Sequence, residues 1–244
     1  MRYAIIADIH ANLAAFTAVL DDIQRRGGVE KMWCLGDIVG YGPDPHECLE
    51  LLLQTNHICI AGNHDWSAIG KIDTTKFNPD VAIACRWTAQ QLSSTDIEYL
   101  KNLPLIMEEG DFTLAHGSPK EPIWEYLIST GAAKENFTYF KTQFCVVGHT
   151  HVPLVFSYSE SSACSSNQFL TNIGLALGKN RLIINPGSVG QPRDGDPQAS
   201  YAIYDSEIRL VRLYRVPYDI QATQDRMVER GLPMRLVARL SQGV

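Results

Sequence analysis

Five of the seven histidines stand in short motifs at predicted strand-to-loop junctions. The motifs are Asp8-Ile9-His10, Asn63-His64-Asp65, His116-Gly117 and His149-Thr150-His151, and Asp37 follows Leu35-Gly36. Carboxylate, imidazole and amide oxygen together suit Mn, Fe, Zn, Co or Ni more than Ca or Mg, because hard ions ask for more oxygens and fewer nitrogens. A spacing of two in extended chain puts both side chains on one face. Asp8 with His10, and His149 with His151, are therefore each expected to reach into one site.

These groups need a scaffold that brings strand ends together. Residues 2–7 read as a short buried strand ending at Asp8, and residues 12–26 as a helix with Asn12 as its cap and Gly27-Gly28 as its stop. A strand at about 31–35 runs into Gly36-Asp37, Pro45 opens a helix through Leu53, and His57–Ile60 make a strand entering Gly62-Asn63-His64-Asp65. Such alternation argues for parallel βαβ units whose ligands bind beyond the carboxyl ends of the strands. A helical segment is predicted over about 66–104, and a helical tail over about 218–244. Between them strands are predicted at 105–108, 111–116, 144–148, 153–158, 168–172, 181–185, 200–205 and 208–214. The serine-rich stretch 157–167 reads as a solvated hairpin tip. The expected architecture is α/β: two sheets with helices outside, in a single domain over 1–244.

Composition sets outer limits. The chain has 244 residues, 45% hydrophobic and 20% charged, enough for a substantial core and too apolar for disorder. Its formal charge of −6 and lack of a long basic run disfavour nucleic acid as a partner. The six cysteines are scattered without a C-x-x-C pair, which reads as buried thiols of a reducing compartment. The N-terminal apolar run is broken by Asp8, unlike a signal peptide, and no run approaches a membrane span. A soluble cytoplasmic protein is the default expectation, and association into a homo-oligomer stays open.

The set Asp8/His10, Gly36-Asp37, Gly62-Asn63-His64-Asp65, His116-Gly117 and Gly148-His149-Thr150-His151 resembles the calcineurin-like metallophosphoesterase superfamily. It is similar in particular to the compact bacterial and archaeal phosphodiesterase branch, which includes dinucleoside tetraphosphate hydrolases. Asn185-Pro186-Gly187-Ser188-Val189-Gly190 resembles a segment of that branch too. The resemblance implies a four-layer αββα sandwich of two mixed sheets with a dinuclear metal site at the carboxyl ends of the strands, holding two divalent transition-metal ions, manganese first among Mn, Fe, Zn, Ni and Co, bridged by Asp37. Asp8, His10 and His151 would hold one ion, and Asn63, His116 and His149 the other. It implies hydrolysis of a small phosphate ester by a metal-bridging hydroxide, with His64 as the catalytic histidine and Asp65 orienting it.

One departure bears on substrate. After Asp37 the chain reads Ile38-Val39-Gly40-Tyr41, without the arginine with which the protein serine/threonine phosphatases clamp phosphate. A small, nucleotide-like phosphodiester is favoured over a phosphoprotein, with Arg193 and Tyr41 as candidate substrate contacts. A dinucleoside tetraphosphate hydrolase is the alternative within the enzyme class. A catalytically inactive interaction scaffold of the same fold is the alternative outside it, against which the presence of His64 argues. Tyr41, Trp66, Trp124 and Tyr126 could stack a base, though packing is the commoner role of such rings. His46 and His57 match no motif and read as structural.

Overall fold

The computed structural model describes residues 1–159 and 162–244. Strand β1 (Arg2–Ile6) shows why the N-terminal run is so apolar. Ala4 and Ile6 face one buried layer, while Ile5 and, just past the strand, Ala7 face another. A strand covered on both sides has no polar face to show.

Helix α1 (Leu13–Arg25) follows, with Asn12 Oδ1 accepting from Ala15 N at its start, then β2 (Lys31–Cys34), α2 (Pro45–Leu53) and β3 (His57–Cys59). A short helix α3 (Asn63–Ala68), a 3₁₀ turn (Thr74–Lys76), α4 (Pro79–Gln91) and α5 (Ser94–Asn102) fill the predicted helical segment. The second half brings β4 (Ile106–Glu109), β5 (Phe112–Ala115), α6 (Thr130–Asn136), β6 (Phe144–Val146), β7 (Leu154–Ser159) and β8 (Ser162–Gln168). It closes with β9 (Gly174–Ala176), β10 (Arg181–Asn185), β11 (Ala199–Asp205), β12 (Leu210–Val216), α7 (Ile220–Glu229) and α8 (Met234–Gln242). Among the described residues no helix is long and apolar enough to cross a membrane.

Two mixed sheets result, ordered β3-β2-β1-β11-β12-β9 and β4-β5-β6-β10-β7-β8. The first carries the parallel trio β1, β2 and β3, and the second the parallel trio β5, β6 and β10. Ile5, Trp33, Leu35, Phe112, Leu114, Phe144 and Ile184 meet between the sheets. The outer face of the first sheet packs on α1 and α2 through Phe16, Val19, Leu49 and Leu52, and that of the second on Ala133 of α6. The layers are those of the expected αββα sandwich.

Two local features differ from expectation. The serine-rich stretch is not mainly a hairpin tip: it pairs as the end of β7 and most of β8, and its residues 160–161 lie outside the described residues. The strand predicted at 168–172 lies instead at 162–168. Strand β8 has one neighbour only, so small polar side chains can line it without a core to fill, and the apolar pattern that marks inner strands is missing. Helix α6, the three-residue β9 and the break that divides the tail into α7 and α8 also lie outside the sequence-based expectation.

Candidate metal centre

Every motif leaves its sheet at a carboxyl end: Asp8, Asp37 and Asn63 after β1, β2 and β3, and His116, His149 and His151 after β5 and β6. The backbone turns sharply there. Asp8, His10, Asp37, His149 and His151 all have φ between 50° and 64°, in the left-handed region that non-glycine residues seldom adopt. The two pairs spaced by two are thus not extended chain, and their convergence has a different cause. Each residue is held in a strained turn, and such strain concentrates where function over-determines the backbone. The pair after β6 also divides, His151 turning toward Asp8 and His10, and His149 toward His116.

Hydrogen bonds lock these turns together across the two sheets. His149 N donates to the Asp8 carboxylate at 3.1 Å, and Ser188 Oγ and Gly190 N donate to the Asp8 carbonyl at 2.9 Å. Asn185 Nδ2 donates to the Gly148 carbonyl at 2.7 Å. The 185–190 segment is therefore a buckle between the sheets. A Cβ on Gly190 would stand 1.8 Å from the Ile9 carbonyl oxygen, so no other residue fits.

Ring orientation follows from backbone acceptors. The Nδ1–H groups of His10, His116 and His151 donate to the carbonyls of Val39, Leu35 and Gln191 at 3.3, 2.8 and 2.6 Å. A neutral ring so held turns its Nε2 lone pair inward, the state that binds a cation. His10 Nε2 lies 3.1 Å from His151 Nε2, and His151 Nε2 lies 3.5 Å from Asp8 Oδ1. His116 Nε2 lies 3.1 Å from both Asn63 Oδ1 and His149 Nδ1. Asp37 Oδ2 stands between, 3.6 Å from His10 Nε2 and 3.4 Å from His116 Nε2. Its other oxygen accepts from His64 N at 2.8 Å, while Oδ2 is buried without a hydrogen-bond partner. The donor atoms of Asp8, His10 and His151, and separately of Asp37, His116 and His149, lie within 4.8 Å of one another, close enough to hold an ion.

Proton affinities agree with cation binding. Burial lowers His10 and His151 and takes His149 to about 3, leaving neutral rings. Burial would lower His116 as well, but the Asp37 carboxylate overrides it and raises the ring to about 9. Asp37 is held far below the usual carboxylate range, His116 and His64 overcoming its burial. Burial pushes Asp8 up to about 8. Asp37 is thus the anionic centre, His10, His149 and His151 offer neutral rings, and a cation would take the place of the protons that Asp8 and His116 hold near neutral pH.

His64 borders both clusters. One of its ring nitrogens falls within 4.8 Å of donor atoms of His10 and Asp37, and burial lowers the ring to about 4. Its neighbour Asp65 does not orient it. The Asp65 carboxylate accepts from the backbone N–H groups of Asp37, Ile38, Val39 and Gly62 at 2.8, 2.9, 3.2 and 2.9 Å, clamping the loop after β2 to the start of α3. A buried carboxylate facing four orphan donors serves them before a distant ring. The Nδ1 of His64 instead meets the Cys85 thiol at 3.6 Å, a contact from α4 that no sequence spacing betrays.

Arg193 donates from Nη2 to Gln191 Oε1 at 2.9 Å and to the Tyr41 hydroxyl at 3.4 Å, and its buried Nε has no partner. Tyr41 itself is buried, its ring 4.6 Å from that of His10 and 4.3 Å from that of His64, so it has no free face for a base. His46 pairs with Asp96 at 2.8 Å and His57 with the Tyr99 hydroxyl at 2.8 Å, both of them structural roles.

Comparison with known proteins places this geometry. A family model for the calcineurin-like phosphoesterase superfamily domain matches residues 1–208. An uncharacterized protein of Methanocaldococcus jannaschii is 42% identical, the match covering 98% of this chain and 97% of that one. The crystal structure of a metallophosphoesterase from Sphaerobacter thermophilus superposes with a TM-score of 0.91 at 48% identity, over 100% of this chain and 99% of the other. A symmetrical bis(5′-nucleosyl)-tetraphosphatase of Erwinia tasmaniensis is 26% identical over 55% of this chain and 50% of its own length.

Proposed function

The chain belongs to the calcineurin-like phosphoesterase superfamily, and on that premise we propose that it is a metal-dependent phosphoesterase acting on a small phosphodiester or nucleotide-like substrate. The observation that carries this reading is Asp37 Oδ2, a buried unpartnered oxygen facing Nε2 of His10 on one side and of His116 on the other. Asp8, His10 and His151 would hold one divalent transition-metal ion, Asn63, His116 and His149 a second, and Asp37 both, with manganese the first candidate. Such ions supply Lewis-acid charge and an activated water.

The chain's own groups do the rest. His64, neutral and buried at the edge of the cluster, would donate an N–H hydrogen bond to the departing oxygen and stabilise the charge developing there. Arg193, already held by Gln191 and Tyr41, would bind a phosphoryl oxygen without first ordering its side chain. Asp65 keeps the Asp37 loop and the start of α3 in fixed relation, so that Asp37 and His64 present to the same substrate.

Turnover of bis(p-nitrophenyl) phosphate, p-nitrophenyl phosphate and dinucleoside polyphosphates, with Mn, Ni, Co, Mg and Zn supplied in turn, tests the proposal. Metal-dependent hydrolysis of the diester is the expected result. No hydrolysis of any ester with any metal would overturn it in favour of an interaction scaffold. The tetraphosphatase relative supports a second reading, a dinucleoside tetraphosphate hydrolase, which the same panel separates by a preference for the dinucleotides.

A further inference from the structure

The loop between β5 and α6 is anchored by residues other than its largest rings. Ile123 and Leu127 are buried, and Glu125 turns inward to accept from Ser118 Oγ at 2.6 Å and Asn136 Nδ2 at 2.8 Å. Gly117 N donates to the Pro122 carbonyl at 2.6 Å, and Trp124 N to the Glu121 carbonyl at 3.2 Å. Between these anchors Trp124 is 46% exposed and Tyr126 49% exposed.

Tyr126 touches the candidate metal cluster directly, and Trp124 is linked to its edge through Phe77. Tyr126 stacks on His149 with centroids 4.0 Å apart and planes 21° apart, which leaves its outer face open. Trp124 meets Phe77 edge-on at 5.7 Å, and Phe77 lies 6.2 Å from His64. The other aromatic candidates are spent on packing. Trp66 lies against the core with the Lys71 ammonium 4.5 Å from its ring, and Tyr41 is buried between His10 and His64. Leaving two large rings half in water forgoes the burial that normally stabilises such side chains, and here they stand two residues apart on one anchored loop, Tyr126 against His149 and Trp124 against the Phe77 that neighbours His64.

We propose that Trp124 and Tyr126, backed by Phe77, form the docking wall for a flat aromatic group, a nucleobase or an aryl ring, carried by the phosphate ester. The inference rests on the phosphoesterase reading above and narrows its substrate to aromatic, nucleotide-class esters. Every base has a π face, so the wall would favour bases over bare sugars without demanding one base in particular.

The test compares adenosine 5′-monophosphate with ribose 5-phosphate, which differ only by the base, in calorimetric titrations of the manganese-loaded protein. The nucleotide should bind ~5- to 150-fold more tightly, the worth of one stacked base, and should quench tryptophan emission where the sugar phosphate does not. Trp124→Ala should collapse that advantage, and Trp124→Phe should keep most of it. Equal affinity for the two ligands in the wild-type protein, or an advantage that survives Trp124→Ala, would overturn the wall. Failure to hydrolyse any ester of the panel with any metal, with the nucleotide preference intact, would overturn the phosphoesterase reading instead.

Discussion

The two ligand clusters are built differently although they share Asp37. One gathers Asp8, His10 and His151, a buried carboxylate and two rings whose Nδ1–H groups are tied to backbone carbonyls. The other gathers Asn63, His116 and His149, where a neutral amide replaces the carboxylate. There His149 offers Nδ1, and its buried Nε2 has no partner. The first cluster therefore has one more carboxyl ligand, which gives up its proton and becomes anionic when a cation binds, and tighter control of its rings. Equal ligand numbers need not mean equal affinity: the first should fill at lower metal concentration, and the second should be the one that exchanges.

The largest effect should come from removing what they share. Asp37→Asn is expected to lower metal content at both clusters together and activity by ~10³-fold or more, a loss of the size seen when charge stabilisation at a reacting centre is removed. Elemental analysis after gel filtration checks it, and an unchanged stoichiometry would contradict the shared role. His64→Ala should leave both ions in place yet lower turnover ~10²- to 10³-fold, the usual range for losing one hydrogen-bond donor at a developing oxyanion.

Asp8→Asn and Asn63→Asp sharpen the contrast itself. One unit of charge at 4 Å is worth about 4 kcal/mol even under strong screening. The first substitution should weaken the tight phase of a metal titration by ~10³-fold, and the second should strengthen the weak phase until the two merge. Two phases that stay put in both variants would remove the distinction. Cys85→Ala is the smallest case. A thiol is a weak donor, so loss of its contact with His64 should cost under ~10-fold in turnover and leave metal content alone.

Much of this site is legible in the amino-acid sequence, because metal chemistry constrains residue type and strand ends constrain position. Asp8, Asp37, Asn63, His116, His149 and His151 fall at carboxyl ends because β1, β2, β3, β5 and β6 are short apolar runs that stop at them. What the sequence hides depends on contacts between distant segments. Asp65 has the spacing of a partner for its neighbour His64, yet its oxygens serve N–H groups that only the folded loop after β2 brings near. Cys85 gives no local sign that it will meet His64 across α4. Tyr41, Trp66, Trp124 and Tyr126 are indistinguishable by type, and exposure alone separates the last two. Strand β8 is silent in the sequence because an edge strand of serines has no apolar period.

Anomalous diffraction from crystals grown with manganese tests the account most directly. It predicts two peaks ~3.5–4 Å apart, the spacing of paired-ion sites, one beside Asp8, His10 and His151 and the other beside Asn63, His116 and His149, with Asp37 Oδ2 between them. A single peak, or peaks that do not flank Asp37, would contradict it.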